Sequence, residues 1–163
     1  MKRLFCCFLV LGALTLYNIP SLMADPSGVF KTRYTTVYYS NEKDIDDFIW
    51  KLGGQRMGLV ADKDLAANRI DRLVERVEAI LDMQPKDFKI NIYLSRGILE
   101  SGRIAFYDHK TKSIHISVDY ATDGVTAHEI AHAVMNYHFS TPLPDKMQEI
   151  LTQYVDKYLW NDY

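Results

Sequence analysis

Cysteine is nearly missing from this chain of 163 residues. The sequence has two, Cys6 and Cys7, and none follows them. Residues 8–163 can therefore form neither a disulfide with one another nor a thiolate metal site. A metal ion bound there would have to be held by histidine, aspartate or glutamate side chains.

An excess of positive charge is also absent, as are internal repeats and low-complexity tracts. The chain has 19 Lys and Arg residues against 21 Asp and Glu residues, which gives a formal net charge of −2. Surfaces that bind nucleic acid need a basic excess, so we expect no nucleic-acid partner. The length suits one domain and is too short for two.

One long apolar run does occur, at the N-terminus. Two basic residues precede an uncharged stretch at residues 4–17, which is short for a membrane span, and Ala24 offers a small side chain for cleavage. We therefore predict a signal peptide at residues 1–24 and one domain at residues 25–163. The domain is expected to be exported, to a periplasm or to the outside medium, with no membrane contact after cleavage.

The spacing of apolar residues predicts an α+β domain. Alternation of apolar and polar residues indicates four strands, the last two as a hairpin, and a spacing of three or four indicates four helices. Strands followed by a pair of helices are typical of this class. The strands are predicted at residues 30–39, 88–94, 103–107 and 113–118, and the helices at residues 42–52, 62–83, 125–137 and 144–160.

The third predicted helix carries the sequence His128-Glu-Ile-Ala-His132. A spacing of four places the two imidazoles one turn apart on one face, where both can ligate a single zinc ion. Apolar neighbours indicate that the helix is buried, and a zinc ion would satisfy both polar rings at once. Glu129 stands beside the first ring, placed to take a proton from a metal-bound water. The motif predicts a zinc hydrolase with Glu129 as general base.

A catalytic zinc needs a third protein ligand, and two candidates lie downstream. His138 has the ligand spacing of the pattern His-Glu-x-x-His-x-x-Gly-x-x-His, but Met135 replaces the glycine that ends the helix there, and a continuing helix turns His138 away. Glu149 lies on the next helix, which a short turn brings back beside the first. Glu149 is the preferred ligand and His138 the alternative, while Gln153, one turn further, could bond a ligand imidazole.

The motif and the helix after it resemble one enzyme family. They are similar to the gluzincin zinc metallopeptidases, and especially to their compact peptidase-MA-like group. The resemblance rests on His128-Glu-Ile-Ala-His132 and on Leu143-Pro-Asp-Lys-Met-Gln-Glu149-Ile-Leu-Thr-Gln-Tyr154-Val, and it covers residues 102–159.

The resemblance implies a zincin-like fold, in which a small mixed sheet is followed by an active-site helix and a ligand helix. It also implies that His128, His132 and Glu149 hold Zn²⁺ and that Glu129 is the general base. Gln153 departs from the pattern, because many members have there an aspartate that braces a zinc-binding histidine.

The expected activity is hydrolysis of peptide bonds in a peptide or protein substrate. The strand at residues 113–118 could bind an extended substrate as a neighbouring strand. The alternative is a zinc-binding module without activity, or an envelope assembly factor or chaperone of the same fold. A donor to the oxyanion is also needed, and five side chains are candidates: Tyr137, Tyr154, Tyr158, His109 and His115.

Overall fold

A computed structural model of the chain describes residues 26–54 and 62–160. The signal peptide predicted at residues 1–24 lies outside the described residues and stays a prediction. None of the helices in the described ranges combines the length and the hydropathy that a membrane crossing requires.

Five strands form one mixed sheet in the described residues. They are β1 (Gly28–Lys31), β2 (Thr35–Tyr39), β3 (Ile90–Ser95), β4 (Ala105–Asp108) and β5 (Ser113–Ser117). Their order across the sheet is β1-β2-β3-β5-β4. The central pairs β2/β3 and β3/β5 are parallel, and the outer pairs β1/β2 and β4/β5 are antiparallel. β4 is therefore an edge strand.

The helices and one face of the sheet share a single core. In the described residues the α-helices are α1 (Glu42–Ile49), α2 (Lys63–Leu81), α3 (Asp123–His138) and α4 (Asp145–Tyr158). Apolar side chains in register on β2, β3 and β5, such as Val37, Ile92 and Ile114, are fully buried beneath them. The predicted α+β class is confirmed, as is the order of a small mixed sheet, then the helix with the motif, then the helix with Glu149.

The single strand predicted at residues 30–39 is wrong, because β1 and β2 are separated by a turn. Thr32 N–H donates to the Thr35 carbonyl at 2.9 Å, and the Thr32 hydroxyl accepts from Thr35 N–H at 3.0 Å. The carboxylate of Asp71, on α2, accepts two more backbone N–H bonds from this turn, at 3.0 and 3.2 Å. The turn is thus stabilised by a distant side chain and carries no glycine or proline.

The C-terminal end of the first predicted helix differs in form from the sequence-based expectation, whereas its start at Glu42 is confirmed. The α-helical part stops at Ile49, and Trp50–Gly54 forms a wider π-type turn. Gly53 has φ of 86°, a left-handed conformation that favours glycine, and it ends the helical path.

The face that the last helix, α4, buries is not the one that its apolar residues predict. Met147, Ile150 and Tyr154 are 49%, 58% and 47% exposed, although their spacing predicts a buried stripe. The polar Gln148 and Thr152 are buried instead. This rotation brings the neighbouring Glu149 to the side of the helix that contacts α3.

The second face of the sheet carries a row of stacked rings. Tyr38 and Tyr93 have ring centroids 4.8 Å apart, Tyr93 and His115 are 5.2 Å apart, and His115 and Phe106 are 4.7 Å apart, all nearly parallel. His115 is half-buried between its neighbours, and this burial lowers its pKa below the usual value.

Replacing His115 by phenylalanine is expected to reduce the loss of stability on acidification. Because the folded-state pKa of His115 lies below 6.5, the unfolded chain takes up this proton first. The stability is present above pH 6.5 and is lost as the pH falls through the folded-state pKa. Urea unfolding of both proteins at about pH 7.5 and about pH 5.5 measures the effect. An equal loss in both proteins would contradict it.

Candidate metal centre

The helix α3 presents both motif imidazoles on one side. The Thr122 hydroxyl accepts the Val125 N–H at 3.1 Å and so caps the start of the helix. Ile130 and Val134 are fully buried against the rest of the core. The side chains of His128 and His132 are 26% and 13% exposed, and both rings face α4.

Glu149 on α4 meets both rings. Its two carboxylate oxygens lie 3.9 Å from His128 Nε2 and 3.4 Å from His132 Nε2. The ligand atoms of the three residues all lie within 4.8 Å of one another. A zinc ion about 2.0–2.2 Å from its ligands sets tetrahedral neighbours about 3.3 Å apart, and the 3.4 Å between Glu149 and His132 is close to that value. The three side chains therefore suit a zinc ion.

The orientation of His132 is fixed by Gln148, the buried amide of α4. Gln148 Nε2 donates to the Leu143 carbonyl at 2.8 Å, which turns Oε1 towards His132 Nδ1 at 3.2 Å. Asn136 Nδ2 lies 3.4 Å from the same oxygen. An amide oxygen only accepts, so His132 carries its proton on Nδ1 and keeps the Nε2 lone pair free for a metal.

Asp156 orients the imidazole of His128 in the same way. Its carboxylate accepts the Nδ1 proton of His128 at 3.1 Å, so the Nε2 lone pair of His128 faces Glu149. The prediction that Gln153 bonds an imidazole is wrong, because Gln153 is exposed and the two bonds come from Asp156 and Gln148. Asp156 lies seven residues after Glu149, two helical turns on, and therefore on the same side of α4.

Glu129 is buried beside the cluster and is not one of its ligands. It is 8% exposed, and burial raises the pKa of its carboxyl group against the lowering effects of His128 and of a hydrogen bond from the Tyr107 backbone N–H. Burial also lowers the pKa of His132, which favours its neutral, metal-binding form. A carboxyl group with a raised pKa is better matched to proton transfer near neutral pH.

Two cavities flank Glu129 and His128. One of about 460 Å³ opens onto the ligand cluster and is bordered by β4 and by the start of α4. The other, of about 420 Å³, is mainly apolar. The apolar cavity is lined by Ile104, Val125, Leu159 and Trp160 together with Ala105 and Asp156.

His138, the alternative third ligand, lies away from the cluster. The helix α3 continues through His138, whose ring packs edge-on against Phe139 with centroids 4.9 Å apart. Met135 is thus inside a regular helix, and the turn that would bring His138 back does not form. The structure brings together His128, His132 and Glu149 instead.

One of the five candidate oxyanion donors borders the larger cavity. His109 lies in the turn between β4 and β5, and its Nδ1 is 2.8 Å from Asn136 Oδ1. The bond places the proton on Nδ1 and leaves Nε2 available. The other four side chains lie elsewhere: Tyr137 bonds a backbone carbonyl, Tyr154 and Tyr158 contact each other with tilted rings, and His115 is on the other face of the sheet.

Removing the carboxylate of Asp156 is expected to weaken zinc binding. Loss of a side chain that orients a ligand imidazole lowers metal affinity by about tenfold to a hundredfold. Competition with a chromophoric chelator measures the affinity of Asp156→Ala. Gln153→Ala, an exposed position on the same helix, is the matched control and should bind zinc like the wild type. Equal affinities for the two variants would rule out the role of Asp156.

Zinc stoichiometry distinguishes the two candidates for the third ligand. The wild type and His138→Ala are expected to retain about one zinc ion per chain after dialysis, because the ligand cluster is intact in both. Glu149→Ala should lose the metal. Loss on changing His138, with retention on changing Glu149, would reverse the assignment.

The site has no counterpart in the comparisons with known proteins. No family model, curated protein or solved structure matches the chain. The resemblance to gluzincin metallopeptidases therefore stays a prediction, which rests on the motif residues and on their arrangement in the fold.

Proposed function

We propose that the protein is an exported zinc-dependent metallopeptidase. The proposal is carried by one observation: two imidazoles with free Nε2 atoms converge with a carboxylate, and a buried glutamate stands beside them. His128, His132 and Glu149 would hold the zinc ion. A structural zinc site has no need of a base such as Glu129, and it usually fills its fourth position with protein.

Hydrolysis needs a base that accepts a proton and later gives it back. When bound, zinc would lower the pKa of a water molecule and polarise a carbonyl group. The Glu129 carboxylate takes the proton of that water and then delivers it to the leaving nitrogen of the peptide bond. The raised pKa that burial gives Glu129 makes it a stronger base for the first transfer than an exposed glutamate.

The edge strand β4 is the part of the sheet that could bind an extended peptide. The strand predicted for this role, β5, has a neighbour on each side, so that prediction is wrong. Ser117 N–H donates to the Ile104 carbonyl at 2.8 Å, so the backbone groups of Ile104 face β5. Because the backbone groups of successive residues in a strand point to opposite sides, those of Ala105 and Tyr107 face away from β5. Tyr107 N–H indeed bonds Glu129, which lies at this edge. A peptide added to β4 would run past the ligand cluster.

Three side chains complete the proposed cleft. His109 borders the cavity with its Nε2 unbonded, and in its protonated form it would donate to the oxyanion. Val125 and Trp160 line the apolar cavity on the other side of His128, which suits an apolar side chain of the substrate.

Glu129→Gln tests the catalytic role directly. The amide cannot accept the proton, so peptide hydrolysis is expected to fall by about a hundredfold or more, while zinc remains bound. A peptide-library digest with and without chelator supplies a substrate, and cleavage by wild type and variant is then compared. If the variant binds zinc and keeps the biological activity of the wild type, the peptidase proposal fails and a module without catalysis is supported.

A further inference from the structure

Arg103 stands at the entrance to the proposed cleft. It comes two residues before β4, and its backbone carbonyl accepts the Leu99 N–H at 2.8 Å. Its guanidinium carbon lies 4.1 Å from the centroid of the Phe106 ring. A guanidinium stacked on a ring is held in one plane, and its N–H groups stay free to bond in that plane.

The side chain of Arg103 has no ion pair or hydrogen bond within the part of the chain that the structure describes. Two other arginines are paired: Arg96 contacts three aspartates at 2.7–3.1 Å, and Arg69 bonds Asp123 at 2.8 Å. Arg103 differs from both, since its contact is the aromatic ring alone. Its donors are therefore available to a ligand.

The acidic side chains that the described residues place near Arg103 attract its guanidinium but accept no hydrogen bond from it. The side chains of Glu129, Asp145 and Glu149 border the same cavity, and Arg103 is the one Arg or Lys that the described residues place there. Their combined negative charge attracts the guanidinium over several ångströms without direct contact. An anionic group of a substrate would otherwise be repelled from this cleft.

We propose that Arg103 forms a subsite for a carboxylate, so that the preferred substrates are peptides with a carboxylate close to the cleaved bond. This inference rests on the proposed function. The guanidinium fork matches the two oxygens of a carboxylate, which a lysine at the same place would not. The carboxylate is supplied either by an acidic side chain or by the C-terminus of the peptide.

Two matched peptide pairs distinguish these sources. One pair replaces glutamate by glutamine in a peptide that the wild type cleaves, and the other replaces a free C-terminus by an amide. The ratio of kcat/KM within each pair is measured for zinc-loaded wild type, Arg103→Gln and Arg103→Lys. Both peptides of a pair meet the same Glu129, so the ratio cancels the effect that the charge of Arg103 has on that carboxylate.

The wild type is expected to favour the carboxylate peptide by about fivefold in at least one pair, because the ion pair is partly exposed to solvent. The ratio should fall towards one in Arg103→Gln and be partly kept in Arg103→Lys. Lys110→Gln, in the turn between β4 and β5, removes a charge that does not border the cavity and should leave the ratio unchanged. Wild-type ratios near one in both pairs, or an unchanged ratio in Arg103→Gln, would overturn the proposal.

Binding provides a readout that does not need turnover. Calorimetry with zinc-loaded Glu129→Gln compares the affinities of the same peptide pairs with and without the additional change Arg103→Gln. A carboxylate preference that depends on Arg103, in a protein whose wild type cleaves no peptide, would refute the peptidase and retain the subsite. Peptide cleavage by the wild type without any such preference would refute the subsite and retain the peptidase.

Discussion

Two rings on successive turns of one helix can hold a single metal ion when each turns an unprotonated nitrogen towards it. In this protein the hydrogen bonds on the far nitrogens meet that requirement, and both come from α4. Gln148 must be buried to reach His132, so α4 is rotated about its axis and part of its apolar stripe is left in solvent. The last helix thus combines the orientation of a ring by Gln148 with the burial of only part of its apolar stripe, such as Val155.

The burial of Glu129 connects the cluster of His128, His132 and Glu149 with the sheet. Glu129 lies between α3 and the outer edge of β4, where little water reaches it, and one of its hydrogen bonds comes from the backbone of that edge. Glu129, the His128, His132 and Glu149 cluster and the outward-facing backbone groups of β4 are therefore within one small region.

Much of the fold and part of the site could be predicted from the sequence. Periodicity gave the helices, the α+β class and the shared face of His128 and His132, because these depend on local spacing alone. The turn held by Asp71, the bond from Asp156 and the edge position of β4 could not be found in this way. Each depends on which elements become neighbours, although the spacing of seven between Glu149 and Asp156 was a usable sign. The polar Gln148 among apolar positions was another.

The brevity of β4 has a consequence for self-association. An open strand edge invites the same edge of another molecule, and long, flat, apolar edges are the ones that seed fibres. β4 has four residues, with Arg103 just before it and Asp108 at its end. Two copies meeting along this edge could form only a few inter-chain hydrogen bonds. This edge of the sheet is therefore a weak template for pairing with a second copy.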